Sequence, residues 1–338
     1  MANNIIVGCH TLSLSNNEIS LFRELDPLGF ILFARNIDHP SQVIALTEQF
    51  KQTLNREDIM VLIDQEGGRV SRLPNTYWRV PPSPTIFAQM YLKNTKLAER
   101  ACYLNALLTG LELKGLGINV NCAPMLDVPQ SNAASIISER ALGTSPEQVI
   151  ALGKQIVQGI KDAGLAPVIK HLPGHGRATS DSHLKLPLVS SSFNELARCD
   201  FLPFQALSNE AMAMSAHVVF SDIDSAQPAT ISATLINKIV RQHIGFDGLL
   251  MSDDINMQAL SGDVASRAEA CLSAGCDVAL HCSGNFEEMK SLLDVATQLE
   301  GQSKTRADTA EKQAFAKLPE LDPSAINTEL NHLLSLIN

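Results

Sequence analysis

The sequence predicts a (β/α)8 barrel of the TIM type, with extra helices from the C-terminal tail packed on it. Three observations predict it. Eight short apolar runs are spread between residues 5 and 281. Helical stretches that end in glycine lead repeatedly into such a run, as in LKGLGINVNCAP (112–124), KDAGLAPVIKH (161–171), RQHIGFDGLLMSD (241–253) and LSAGCDVALHC (272–282). Polar and charged residues collect at the ends of the runs, where barrels of this type carry their active sites.

In order, the runs are Ile5–Cys9, Gly29–Phe33, Met60–Asp64, Val120–Ala123, Pro167–His171, Ala211–His217, Leu249–Asp253 and Val278–His281. They do not alternate apolar with polar residues, as expected of strands covered on both faces in a parallel sheet. Glycine just past a helix end supplies the left-handed cap, so each helix–glycine–run unit reads as one βα step. The clearest helix spans 145–163. Ser145 is its N-cap, Pro146 fits the first turn and Gln148 completes a capping box. Val149, Leu152, Ile156 and Ile160 then share one face. A doubly wound open sheet is the alternative fold, but no G-x-G-x-x-G follows a run. Beyond residue 284 the stretches FEEMKSLLDVATQLE, 303–317 and 322–337 read as helical. The expectation is one domain over 1–338, with the barrel at about 5–285 and a helical tail at about 286–338.

Composition narrows the function. The chain has 338 residues, 45% of them hydrophobic, and a formal net charge of -10. An acidic surface argues against nucleic acid and anionic membranes as partners. No basic region followed by a long apolar one opens the chain, and no run of about 18 apolar residues occurs. A cytoplasmic, monomeric protein acting on a small molecule is expected. Seven scattered cysteines, several in apolar runs, fit reduced buried thiols rather than a zinc site.

The stretch KHLPGHGRATSDSHLKLP (170–187) is a loop, because Pro173, Gly174 and Gly176 exclude a regular helix or interior strand. Its two glycines are expected to let the loop open and close. The polar run ends are Asp64, followed by Gln65, Glu66, Gly67, Gly68 and Arg69, then Asp127, Lys170 with His171, His217, Asp253 with Asp254, and His281. Any single one could be a helix cap. Six converging on one mouth fit either a metal hydrolase or carbohydrate chemistry, in which a carboxylate works with a separate acid/base. The metal reading lacks an early H-x-H pair: His10 stands alone, and Pro173 and Gly174 break any helical face joining His171 to His175.

VLIDQEGGRVSR (61–72), the KH-x-PGHG…D-x-H loop, AHVVF (216–220) and MSDDINM (251–257) closely resemble bacterial β-N-acetylhexosaminidases of glycoside hydrolase family 3. The likeness runs from about residue 5 to residue 285 and is to the short, single-domain form typical of Gram-negative bacteria. It implies a retaining mechanism with a covalent glycosyl–enzyme intermediate and no metal or other cofactor. It implies Asp253 as nucleophile, His183 as general acid/base and Asp181 as the residue that orients and tunes His183. Asp254 is expected to cap the segment that follows. Asp64, Arg72, Arg140, Lys170 and His171 match sugar-binding positions, while His217 and Asp127 read as rim supports. The chain has ISER (137–140) where the family has IGDR or IGNR before the arginine, so Ser138 replaces a glycine.

The resemblance implies an exo-acting β-N-acetylglucosaminidase that removes terminal GlcNAc from GlcNAc–anhydroMurNAc muropeptides during peptidoglycan recycling. The alternatives are an N-acetylglucosaminide phosphorylase on the same scaffold, a sugar-binding protein without catalysis, and a metal-dependent hydrolase. Attack by the substrate's own acetamide is the mechanistic rival.

Overall fold

The structure, a computed structural model, describes residues 2–130, 139–178, 186–317 and 321–336. Eight parallel strands close into a barrel in chain order. They are β1 (Asn3–Gly8), β2 (Pro27–Leu32), β3 (Met60–Ile63), β4 (Val120–Asn121), β5 (Ala166–Leu172), β6 (Met212–Ser215), β7 (Leu249–Asp254) and β8 (Val278–His281). The ring closes where Ile5, Ile6 and Val7 pair with Ala279, Leu280 and His281. Each of the eight apolar runs supplies one strand, and the predicted (β/α)8 barrel is present.

Alternate side chains serve two apolar cores. Ile6, Met60, Leu62, Val168, Met214 and Leu280 fill the barrel. Ile5, Val7, Phe30, Val61, Ile63 and Ile169 belong to the layer between strands and helices. Burial on both faces is why the runs carry no polar alternation. In the outer layer Phe30 stacks on Phe50 with ring centroids 3.8 Å apart and meets Phe22 edge-on at 5.0 Å. Such pairs add about 0.5–1.5 kcal/mol beyond the area they bury.

Local signals set most helix ends. Gly164 and Gly275 adopt φ of 73° and 115°, the left-handed region that lets the chain leave a helix and enter the next strand. Helix Pro146–Asp162 starts as predicted, with Ser145 Oγ accepting the Gln148 N–H at 3.3 Å. The other half of the expected capping box is not made. Gln148 Nε2 instead donates to the Ala88 carbonyl at 2.7 Å, joining helix Pro84–Lys93. A tertiary acceptor has displaced the local one.

The tail departs from a plain run of helices. After Phe286–Ser291 and a 3-10 turn at Leu292–Asp294 the chain leaves helical conformation. It pairs there with the start of β1: the Asn4 N–H donates to the Thr297 carbonyl at 2.9 Å, Asn4 Nδ2 donates to Thr297 Oγ1 at 3.0 Å, and Asn4 Oδ1 accepts the Thr297 N–H at 2.9 Å. Helix Gly301–Ala314 then places Ala307, Ala310 and Ala314 in the barrel's inner core. It closes the end of the barrel opposite the strand C-termini. Ser303 and Arg306 fix it to Asp277, at 2.6 and 3.0 Å. Helix Pro323–Ser335 packs on helix Thr95–Lys114.

All seven cysteines are free of disulfides, and all but Cys199 are buried. Among the described residues no helix is long and apolar enough to cross a membrane.

Candidate active site at the barrel mouth

The C-terminal ends of the strands surround a cavity. Asp64, Arg72, Arg140, Lys170, His171 and Asp253 all line it, together with Glu66. Six predicted site residues, scattered over 190 positions of sequence, therefore meet in one space. Asp181, His183 and Ser138 lie outside the described residues. Phe33, Val70, Met214, Met257 and Leu280 add apolar surface to the lining.

Asp64 and Arg72 are brought together by a tight return of the chain after β3. Gln65 is the brace. Its backbone exchanges two hydrogen bonds with the Asn121 side chain, each 3.1 Å, and its Oε1 accepts the Arg72 N–H at 2.8 Å. The turn itself passes through Gly67, at φ of 105°, where an added Cβ would collide with the Pro82 carbonyl. Arg72 Nη2 then reaches Asp64 Oδ2 at 3.1 Å, and its guanidinium lies 5.2 Å from the centre of the Phe33 ring.

Lys170, at the end of β5, sits between two carboxylates. Its Nζ lies 2.8 Å from Asp64 Oδ1 and 2.7 Å from Glu66 Oε1. Arg140 holds Glu66 with two bonds, Nη2 to Oε1 at 2.8 Å and Nε to Oε2 at 2.9 Å. Burial opposes charge on every member, but the mutual attraction is larger. Lys170 and Arg72 hold the Asp64 carboxyl well below its usual range. Arg140 and Lys170 bring Glu66 to about 2. The Lys170 ammonium is raised against its burial by Asp64 and Glu66. All stay ionised at neutral pH.

Asp253 faces the cavity from the end of β7. Burial would raise its carboxyl, but His217, His171, the Asp254 N–H and Lys170 together lower it, so it is ionised. Asp254 behaves differently. Its Oδ1 accepts the N–H groups of Asn256 and Cys282 at 3.0 and 3.1 Å, and burial, with the neighbouring Asp253 charge, brings it up to about 6. Both acids line the cavity, but only Asp254 also ties the following turn to the end of β8. His217 lies behind them, fully buried, with Nε2 donating to the Asp254 carbonyl at 3.0 Å. Burial keeps its ring neutral.

The loop after β5 is rooted on two sides. Gly176 lies against Val128, whose carbonyl would collide with any Cβ, and the Gly176 carbonyl accepts the Gln130 N–H at 3.1 Å. Arg177 Nε donates to buried Asp200 at 2.8 Å. Gly174 packs on Asp200 as well. In the described residues, then, the loop glycines serve close packing at its root. On the return side, Leu188–Val189 pairs with Val219–Phe220 in a two-stranded sheet beside the mouth. Strands of two residues carry no readable period, and this sheet was not foreseen.

Glu66 is the functional candidate that sequence reasoning passed over. It stood in the polar run after β3, but its partners lie 74 and 104 positions away. Among the described residues no group of three or more His, Cys, Asp or Glu side chains is arranged to hold a metal ion.

Residues 16–313 match the family described as the glycosyl hydrolase family 3 N terminal domain. A β-hexosaminidase of Thiobacillus denitrificans is 38% identical over 278 residues, which cover 80% of this chain and 76% of that protein. One from Methylococcus capsulatus is 36% identical over 302 residues, 88% of this chain and 87% of its own length. Among solved structures, NagZ from Neisseria gonorrhoeae in complex with N-trifluoroacetyl-D-glucosamine superimposes with a TM-score of 0.88 at 28% identity, covering 100% of this chain and 98% of that one.

Proposed function

This chain belongs to glycosyl hydrolase family 3 and is a β-N-acetylhexosaminidase, and on that premise we propose that it is a retaining exo-β-N-acetylglucosaminidase of peptidoglycan recycling. Its substrates are muropeptides carrying a terminal non-reducing GlcNAc on anhydroMurNAc, cleaved in the cytoplasm by a monomeric, single-domain enzyme. The observation that carries the reading is an ionised Asp253 facing the same cavity as Asp64, Arg72, Lys170, His171 and Arg140. Charged donors and acceptors in the lining of this cavity suit the hydroxyls of a sugar ring. That the gonococcal neighbour holds an N-acylated glucosamine supports GlcNAc as the sugar. The muropeptide part follows the resemblance of the KH-x-PGHG…D-x-H loop.

In this mechanism an Asp253 carboxylate oxygen attacks the anomeric carbon as the bond to the leaving oxygen breaks. His183, oriented by Asp181, gives that oxygen its proton. A water then loses a proton to His183 and displaces Asp253 from the sugar, so the configuration is retained. Keeping Asp253 below the usual carboxylate range suits a group that must be unprotonated to attack.

The test is incubation with an aryl β-N-acetylglucosaminide, with and without phosphate, followed by identification of the sugar. Free N-acetylglucosamine in both samples is expected. The 1-phosphate would make the protein a phosphorylase. No release of sugar would refute the enzymatic reading.

A further inference from the structure

Asp127 joins separate parts of the site, and its Oδ1 accepts the backbone N–H of His171 at 3.4 Å. It follows β4, where the Leu126 N–H donates to the Lys170 carbonyl at 2.7 Å and holds this segment beside β5. Its side chain is fully buried. Oδ1 accepts the backbone N–H of His175 at 2.6 Å, at the root of the 172–187 loop. Oδ2 meets Nδ1 of His171, on the cavity wall, at 2.7 Å. Burial opposes charge on Asp127, but His171 and His175 hold it below the usual carboxylate range. An ionised carboxylate only accepts, so the hydrogen between the two groups belongs to Nδ1 of His171. Among the described residues no group hydrogen-bonds the ring's other nitrogen, Nε2.

We propose that Asp127 is a positioning residue that keeps the ring hydrogen of His171 on Nδ1 and leaves Nε2 to accept from a sugar hydroxyl, and that the same carboxylate pins the loop root through His175. The hydroxyl partner rests on the reading of the cavity as a sugar site; the tautomer does not. Lys170, one residue earlier, is donor-only. With the lock in place, neighbouring side chains present a donor and an acceptor. That pair matches the two hydrogen-bonding roles of adjacent sugar hydroxyls. With the other tautomer both would donate.

Asp127→Asn separates the ring contact from the loop contact. The amide oxygen can still take the His175 N–H. The amide NH2 then faces Nδ1 of His171 and forces the ring hydrogen onto Nε2, turning an acceptor into a donor. Asp127→Ala removes both contacts. Long-range 1H–15N spectra of protein labelled at histidine distinguish the tautomers, and His171→Gln identifies the resonance. The expected result is Nδ1–H in the wild type and Nε2–H in Asp127→Asn. On an aryl β-N-acetylglucosaminide, Asp127→Asn should raise KM about 10- to 100-fold with a smaller change in kcat, since the hydroxyl bond exists in ground and transition states alike. Asp127→Ala should in addition lower kcat. A wild-type ring that carries hydrogen on Nε2, whether as the other tautomer or as an imidazolium protonated on both nitrogens, overturns the proposal without any variant having to fold. So does an Asp127→Asn enzyme whose ring has switched but whose KM has not moved. A wild-type protein that releases no sugar would instead defeat the proposed activity, and its tautomer, read without substrate, would still decide the lock.

Discussion

Replacing Glu66 by glutamine should cost the fold about 3–5 kcal/mol, the usual penalty for removing one partner of a buried ion pair. The site makes the size concrete. The Glu66 side chain is 3% exposed and serves two cations, Lys170 at 2.7 Å and Arg140 through two bonds of 2.8 and 2.9 Å. Lys170 would keep Asp64, but among the described residues Arg140 has no other ion-pair partner. The amide would also turn an NH2 donor toward donors. Glu66 falls from 4.5 to about 2, which at 1.36 kcal/mol per unit is worth about 3 kcal/mol. Because the folded-state value is depressed, this stability is present in full above about pH 4.5 and is lost as pH falls toward about 2. With an unfolding entropy of about 2.1 cal/mol/K per residue, the 338-residue chain should melt about 4–7 °C lower in scanning calorimetry at neutral pH. Glu139→Gln is the control. Its partner Arg69 is 2.9 Å away, but both side chains are about half exposed, and such pairs contribute about 0–1 kcal/mol. A Glu66→Gln protein that melts with the control, or whose deficit does not shrink in acid, would refute the reasoning.

Asp253→Asn should lower kcat about 10⁴-fold with an unchanged circular dichroism spectrum, and a slow fluorinated N-acetylglucosaminide should leave its sugar on the Asp253 peptide of the wild type. Absence of any adduct by mass spectrometry would favour the substrate's acetamide as nucleophile. Asp254, at about 6, is raised by burial, so its contribution to stability is present below about pH 4 and lost as pH climbs through about 6. Asp254→Asn should remove that loss, and urea midpoints at pH 5 and pH 8 should lie closer together than in the wild type. Gly176→Ala, by driving a Cβ into the Val128 carbonyl, should destabilise by about 1–3 kcal/mol. It should also lower kcat on the aryl substrate more than it raises KM, because it displaces the root of the loop and not the sugar grip.

Much of this was legible in the sequence because it rests on local rules. The eight apolar runs became the eight strands, since a strand covered on both faces needs nothing but consecutive apolar residues. Ser145 capped its helix, and Gly164 and Gly275 ended theirs, for reasons confined to a few neighbouring residues. Polar strand ends pointed to the mouth because the topology puts every strand's C-terminus there.

What the sequence left open are relations between distant residues. Gln148 abandoned its local cap for the Ala88 carbonyl, and Thr297 left a helical pattern to pair with Asn4. Nothing within a turn of either residue records the competing partner. Glu66 becomes the centre of an ion-pair network only when β3, β5 and the 139–144 segment converge, and the acidity of Asp253 and Asp254 diverges because His217, His171 and Lys170 offset burial at Asp253, while burial and the Asp253 charge prevail at Asp254. The sequence by itself determined which elements form, because backbone conformation answers to nearest neighbours. Which charges meet, and so which carboxylates stay ionised, was decided by the tertiary structure, because Coulomb attraction and loss of water act through space and take no account of position along the chain.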